Sequence, residues 1–193
     1  MSTFGSPYER LDRLTASGYS RAVMRTAFLA LAVVLGLAAS PFATPAHAEE
    51  TVTFRDTAYA PGTIVVKTGE RRLYLVLGNG KALRYVVGVG KQGKQWSGQS
   101  RIVGKYLKPA WAPPPDVKRD NPSIPDLIEG GAPNNPMGAA AMVLAGGEYA
   151  IHGTNRPKSI GGFVSYGCIR MHNRDIVRLF DRVHVGTPVV VVR

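Results

Sequence analysis

At 193 residues the chain is long enough for one ordinary domain and an appendage. It is strongly basic, with 24 Lys and Arg against 13 Asp and Glu for a formal net charge of +11, and it holds one cysteine. A single cysteine excludes an internal disulfide framework. No motif of a nucleic-acid-binding fold accompanies the charge, so no nucleic-acid partner is expected. The charge suits an anionic envelope polymer or membrane surface, or simply a solvated basic face.

Residues 1–23 are polar and irregular. Arg21 and Arg25 then precede an apolar run over residues 27–39, followed by Ser40-Pro41 and Ala46-His47-Ala48. This is a basic n-region, an apolar stretch too short to span a bilayer comfortably, and a small-x-small cleavage signal. Residues 1–48 are therefore predicted to be a signal-peptide region, and Met24 would itself open a compact version of it. An uncleaved anchor helix is the competing reading. Cleavage after Ala48 leaves 193 − 48 = 145 residues, enough to bury a core, with 20 − 11 = +9 formal charges and no stable membrane span. The expected location is the periplasm or cell envelope.

From Thr51 the chain is rich in strand formers. Ile64-Val65-Val66-Lys67 is a short strand, and Leu73-Tyr74-Leu75-Val76-Leu77 runs into Gly78-Asn79-Gly80-Lys81 before residues 82–89 return, as in a hairpin. Gly88-Val89-Gly90-Lys91-Gln92-Gly93 spells GxGxxG, but no helix opens there and no acid follows at the right distance. The same glycines nearly form a P-loop, except that Gln95 stands where Ser or Thr must meet magnesium. Residues 94–138, rich in Pro and Gly and carrying Trp96 and Trp111, are predicted to be a long loop that packs as a wall or lid over the site. Residues 139–144 and 148–151 follow as strands, the second delivering His152. After Cys168, a short helix is predicted with Asn173 as N-cap, Asp175 in its first turn, and Ile176, Val177, Phe180 and Val183 on one face. Gly186-Thr187-Pro188 introduces a buried terminal strand of four valines.

The chemistry concentrates in residues 151–173, which hold Cys168 and the best-placed histidine, His152. Exported domains that use cysteine structurally pair it, so a lone thiol in an oxidising compartment points to catalysis. The competing reading is a buried cysteine acting as a small hydrophobe. A nearby cation or helix N-terminus is expected to lower the Cys168 pKa, and a histidine within reach would make the thiol a nucleophile. His172 and His184 are too few and too poorly spaced to form a zinc site with Cys168, so no metal is expected.

His152-Gly153-Thr154 followed by Ser165-Tyr166-Gly167-Cys168-Ile169-Arg170 resembles the signature of the YkuD-type L,D-transpeptidases. Residues Pro109-Ala110-Trp111-Ala112-Pro113-Pro114, Asn135-Pro136-Met137-Gly138 and Gly186-Thr187-Pro188-Val189 are similar to other family segments, and the likeness covers roughly residues 62–193. It implies a mainly β fold, a β-sandwich or barrel with a short helix after the nucleophile, and no cofactor. It also implies that Cys168 attacks a peptidoglycan tetrapeptide stem, expels D-alanine and passes the acyl group to an amine. That amine belongs to another stem, giving a 3→3 cross-link, or to an outer-membrane protein or lipoprotein. His152 is then the base, oriented by a backbone carbonyl around Gly153, and the N–H groups of Tyr166, Gly167 and Cys168 stabilise the oxyanion. Arg170 tunes the thiol or binds a carboxylate unless it pairs with Asp175 or Asp181. Ser165 contacts the site or shapes the turn, and Asn155, with Arg156 and Lys158, meets the stem or solvent. Tyr166 departs from the histidine common at its position in the family.

Three rivals stand beside this reading. A hydrolase of the same fold would release D-alanine or detach wall-linked protein. A papain-like peptidoglycan hydrolase would place its cysteine before its histidine, the reverse of the order here. A non-catalytic wall-binding module would need neither His152 nor an exported thiol.

Overall fold

Short strands that are apolar on both faces build the first half of the fold. A computed structural model describes residues 49–146 and 149–193, so the predicted signal-peptide region lies outside the described residues. Strands β1 (Glu50–Thr53), β2 (Ile64–Lys67), β3 (Arg72–Gly78) and β4 (Lys81–Val86) come first. The β3–β4 turn places Asn79 and Gly80 at φ of 51° and 67°, the two positive values that a tight primed turn requires. Side chains two apart share a face. Ile64, Val66, Leu73, Leu75, Leu83 and Tyr85 therefore enter the main core, while Val65, Tyr74, Val76 and Ala82 form a smaller cluster with Phe54 on the other face.

Strand β5 (Val89–Gly90) is short, and the ten-residue β6 (Gly98–Leu107) follows. β6 corrects the prediction of an uninterrupted loop over residues 94–138. Its first part pairs with the terminal strand β11 (Pro188–Val192) and its second with β7 (Ala140–Leu144), so it joins the two halves of the sheet. A register shift between Ile102 and Gly104 marks the change of partner. The irregular part of that stretch is thus reduced to residues 94–97 and 108–139, and the longer piece contains one short helix, α1 (Pro115–Asp120).

The remaining elements are β8 (Ala150–His152), β9 (Phe163–Ser165), β10 (Ile169–Arg170) and helix α2 (Asn173–Arg182). The large sheet runs β1-β4-β3-β2-β11-β6-β7-β8-β10, and β5 pairs separately with β9. Ile64 and Val66 from one half and Met142, Leu144, Ile151 and Ile169 from the other meet in one cluster. Each fully buried aliphatic side chain there contributes about 1.5–3 kcal/mol relative to exposure. The protein is mainly β, as the composition of its strands predicts.

Helix α2 closes this core with Ile176 and Leu179, and Val183 joins just beyond its end. Val177, predicted for the same face, is exposed, because the buried stripe advances three and four residues at a time from Ile176. The Lys105 ammonium of β6 donates to the carbonyls of Phe180 and Val183 at 2.7 and 2.6 Å, placing a cation where the helix dipole favours one.

Candidate active site

Two parallel strands place the reactive residues. β10 lies beside β8 with Ile169 opposite Ile151 and Arg170 opposite His152. Ile151 and Ile169 point into the core at 0% and 1% exposure. The period of two turns His152 and Arg170, and Cys168 two residues earlier, to the opposite face. Cys168 therefore precedes a strand, and the expected helix, α2, begins only at Asn173, too late for its N-terminus to follow the thiol directly.

The stretch after β6 forms a facing wall. Trp111 and Ile128 exchange two backbone hydrogen bonds of 2.8 Å. Asn135, 2% exposed, donates to the carbonyls of Pro109, Ile128 and Glu129 and accepts from the Met137 N–H. These bonds hold Trp111, Pro114, Pro115, Asp116, Val117, Pro136 and Met137 against Lys94, Tyr149, His152, Ser165, Tyr166, Cys168 and Arg170, enclosing a cavity of about 510 Å³.

Helix α1 is fastened to the turn before Cys168. The Tyr166 hydroxyl donates to Asp120 Oδ2 at 2.6 Å, and the Lys91 ammonium lies 3.6 Å from that carboxylate and 3.9 Å from the centre of the Tyr166 ring. Lys94 pairs with Asp116, which also meets Arg119 at 3.0 Å. Tyr166 thus latches the wall. Tyr166→Phe should weaken substrate binding roughly threefold to tenfold, since an exposed hydrogen bond is worth about 1 kcal/mol, while the rate at saturation stays within twofold. Steady-state kinetics check this, and a hundredfold fall in kcat would instead put the hydroxyl in the chemistry.

The turn itself is clamped from within. Ser165 is fully buried; its Oγ donates to the Cys168 carbonyl at 2.6 Å and accepts the Gly167 N–H at 3.1 Å. The Trp96 indole N–H donates to the Gly167 carbonyl at 3.0 Å, and its ring stacks on Tyr149 at 4.9 Å. The N–H groups of Tyr166 and Cys168 have no protein acceptor among the described residues.

Burial decides the charge state of the reactive pair. His152 is 3% exposed, and loss of solvent, followed by the nearby Arg170 charge, pulls its pKa down to about 4. Its Nδ1 is enclosed without a partner at hydrogen-bond geometry among the described residues, although the carbonyl dipoles of Gly153 and Pro136 favour protonation. Burial pushes the Cys168 thiol up, against the opposing pull of the Ala150 N–H and the Arg170 charge. The predicted lowering of the thiol pKa is therefore overturned: desolvation outweighs the cation. Desolvation thus disfavours the charged form of both groups. Arg170, its own pKa lowered by burial, forms no ion pair with Asp175 or Asp181 among the described residues; Asp175 pairs with Arg174.

The L,D-transpeptidase catalytic-domain family model matches residues 61–191, about two thirds of the chain and all of the strands that carry this site. The chain belongs to the L,D-transpeptidase family. It is 38% identical over 138 residues to the family protein ErfK/SrfK of Escherichia coli, a match covering 67% of this chain and 43% of that one. The chain therefore spans less than half of that relative. To YkuD of Bacillus subtilis it is 36% identical over 134 residues, 69% of this chain and 67% of YkuD. The fold resembles that of an L,D-transpeptidase from Mycobacterium smegmatis, with TM-score 0.54, 18% identity, and 68% and 58% of the two chains covered. A mutant L,D-transpeptidase from Enterococcus faecium gives TM-score 0.53 at 19% identity, with 67% and 49% covered.

Five of the residues singled out from sequence line one cavity: Cys168, His152, Arg170, Ser165 and Tyr166. Gly167 lies in the turn, but Ser165 engages its N–H, so it is not available as an oxyanion donor. Gly153 follows β8 with its carbonyl dipole acting on His152. Asn155 does not join them. Its amide donates to the Asn134 carbonyl at 2.8 Å, and it lines a separate hollow with Lys108 and Asn135.

Asn173 is not the cap of α2, whose N-cap residue is His172. Its side chain instead accepts the N–H groups of Ala139 and Thr154 and donates to the Thr154 carbonyl, pinning the chain just beyond His152. Trp96 and Asp120 fall within the stretch expected to wall the site, but their specific bonds to the Cys168 turn, and any part for Tyr149, are not recognisable from sequence. Their contacts cross many residues, and only the position of an aromatic in the polar stretch Lys94-Gln95-Trp96-Ser97 gives any signal.

Proposed function

We propose that this chain is an exported enzyme that acts on peptidoglycan stem peptides through an acyl-enzyme on Cys168. The observation that carries this reading is the convergence of the Cys168 thiol and the buried His152 imidazole, held by the neighbouring strands β10 and β8, on one cavity. They line one cavity beside a guanidinium that lacks a carboxylate partner among the described residues. The basic composition and the N-terminal apolar run support export toward an anionic wall polymer.

The steps follow from these positions. The carbonyl of the third stem residue enters the cavity, and Cys168 Sγ forms a bond to its carbon while the thiol proton passes to His152 Nε2. Nδ1 is enclosed on the protein side, which leaves Nε2 for the cavity. The developing oxyanion meets the free N–H groups of Tyr166 and Cys168. Collapse breaks the C–N bond to D-alanine, and His152 returns the proton to the leaving amine. An acceptor amine then attacks the thioester, gives its proton to His152 and releases the thiol. Arg170 holds a carboxylate of the stem, its charge unopposed by a neighbouring acid. The wall of residues 108–139 screens the thioester from water, so that an amine is the acceptor.

Purified disaccharide-tetrapeptides test this directly. The enzyme should release D-alanine and form dimers with a 3→3 bond, located by tandem mass spectrometry, and Cys168→Ala should do neither. Tripeptides alone would make the protein a hydrolase of the same fold. Cleavage only of protein–stem linkages would make it a detaching enzyme, and D-alanine release only on addition of an envelope protein would identify that protein as the acceptor.

A further inference from the structure

We infer that Trp96 is a positioning residue that aims the Cys168 N–H at the oxyanion. This inference rests on the acyl-enzyme reading. The Gly167 carbonyl and the Cys168 N–H belong to one planar peptide, and no peptide bond in the described structure is cis. In a trans peptide the two groups point in opposite directions. The indole N–H of Trp96 draws the carbonyl to one side at 3.0 Å, and this turns the Cys168 N–H to the other.

The anchor is needed because of what precedes it. Gly167 lies at φ 123° and has no Cβ, so rotation of the following peptide plane meets little steric resistance. Ser165 fixes the neighbouring groups, the Gly167 N–H and the Cys168 carbonyl, but not this plane. Trp96 alone reaches it among the described residues. The indole is itself immobilised: it stacks on Tyr149 with the rings 7° from parallel, packs against the main core and sits two residues before β6. A donor on the carbonyl also polarises the peptide and strengthens its N–H as a hydrogen-bond donor. Trp96 touches no reacting atom and acts through this peptide.

The test replaces the donor and keeps the ring. Trp96→Phe preserves the stack, and the benzothiophene analogue of tryptophan, introduced at position 96 alone, preserves the shape but lacks the N–H. Acylation of Cys168 by a carbapenem is followed by stopped flow and intact mass, the thioester carbonyl by infrared spectroscopy, and the bare thiol by iodoacetamide. Both variants should acylate about tenfold to a hundredfold more slowly at saturation. Ligand affinity and alkylation should be unchanged, and the thioester band should move to higher wavenumber as it loses a hydrogen bond. Wild-type acylation rates and band position in the analogue-containing protein overturn the inference. So does a slower rate accompanied by an equal loss of alkylation, which would mean that the site has merely deformed. Wild type that forms no adduct at all overturns the acyl-enzyme reading, and this inference with it.

Discussion

Replacing His152 with Gln should slow acylation of Cys168 roughly 10²–10⁴-fold at neutral pH, the usual worth of a positioned general base. The imidazole is neutral there because burial holds its pKa down to about 4, so it is ready to accept a proton without first losing one. The thiol, raised by burial, is not ionised in advance. Cys168 should accordingly react with iodoacetamide more slowly than a free thiol at pH 7, in both wild type and His152→Gln, because that reagent depends on the thiolate. Acylation by substrate, which passes through proton transfer, should separate the two proteins. Equal acylation rates would remove His152 from the mechanism.

The same burial has a consequence for stability. In the unfolded chain His152 takes up a proton near pH 6.5, whereas in the folded protein it resists until about pH 4. Between those values the unfolded state binds the extra proton, so stability falls as pH falls. At about 1.4 kcal/mol per unit, the full loss is about 3 kcal/mol, reached near the lower limit of that window. Urea unfolding at pH 7 and pH 4.5 should show His152→Gln losing less stability than wild type over that interval. Parallel losses would mean that the imidazole is not buried in its neutral form.

Features that depend on local backbone demands are legible in the sequence. Asn79-Gly80 announces its turn because few other pairs accept two positive φ values, and the four-valine terminus announces a buried strand. The His152 and Cys168 segments are legible as chemistry through their order and spacing. β6 is hidden because its glycines and polar residues resemble the loop around it; its place comes from pairing with β11 and β7, both far away in sequence. Asn173 misleads for a related reason: a local cap competes with tertiary bonds to Ala139 and Thr154, and the tertiary bonds win. The Trp96–Gly167 bond spans 71 residues and leaves no local trace. The direction of the Cys168 pKa cannot be read either, because a neighbouring arginine is visible in sequence and the depth of burial is not.

Gly167→Ala should reduce acylation at least about a hundredfold, comparable to removing an oxyanion donor outright. A Cβ built at Gly167 would lie 2.3 Å from Tyr149 Cε1 and 2.8 Å from Cδ1, far inside contact distance, on a backbone at φ 123°. Tyr149 cannot simply retreat, because Trp96 is stacked on it and holds the Gly167 carbonyl. One added methyl therefore displaces the turn, the stack and the Cys168 N–H together. Overpacking and backbone strain should also cost about 2–4 kcal/mol of stability. Gly186→Ala separates the two costs: Gly186 sits at φ 98° with nothing within 4 Å of an added methyl, so only backbone strain of about 1–2 kcal/mol is expected, with acylation unchanged. Denaturation and acylation measured on both variants distinguish a damaged turn from a generally weakened fold. If Gly167→Ala acylates as fast as Gly186→Ala, the turn does not position the oxyanion donor. If it is slow while no less stable than Gly186→Ala, the collision with Tyr149 is relieved by moving the turn itself, and the lost rate measures how closely the Cys168 N–H must be aimed.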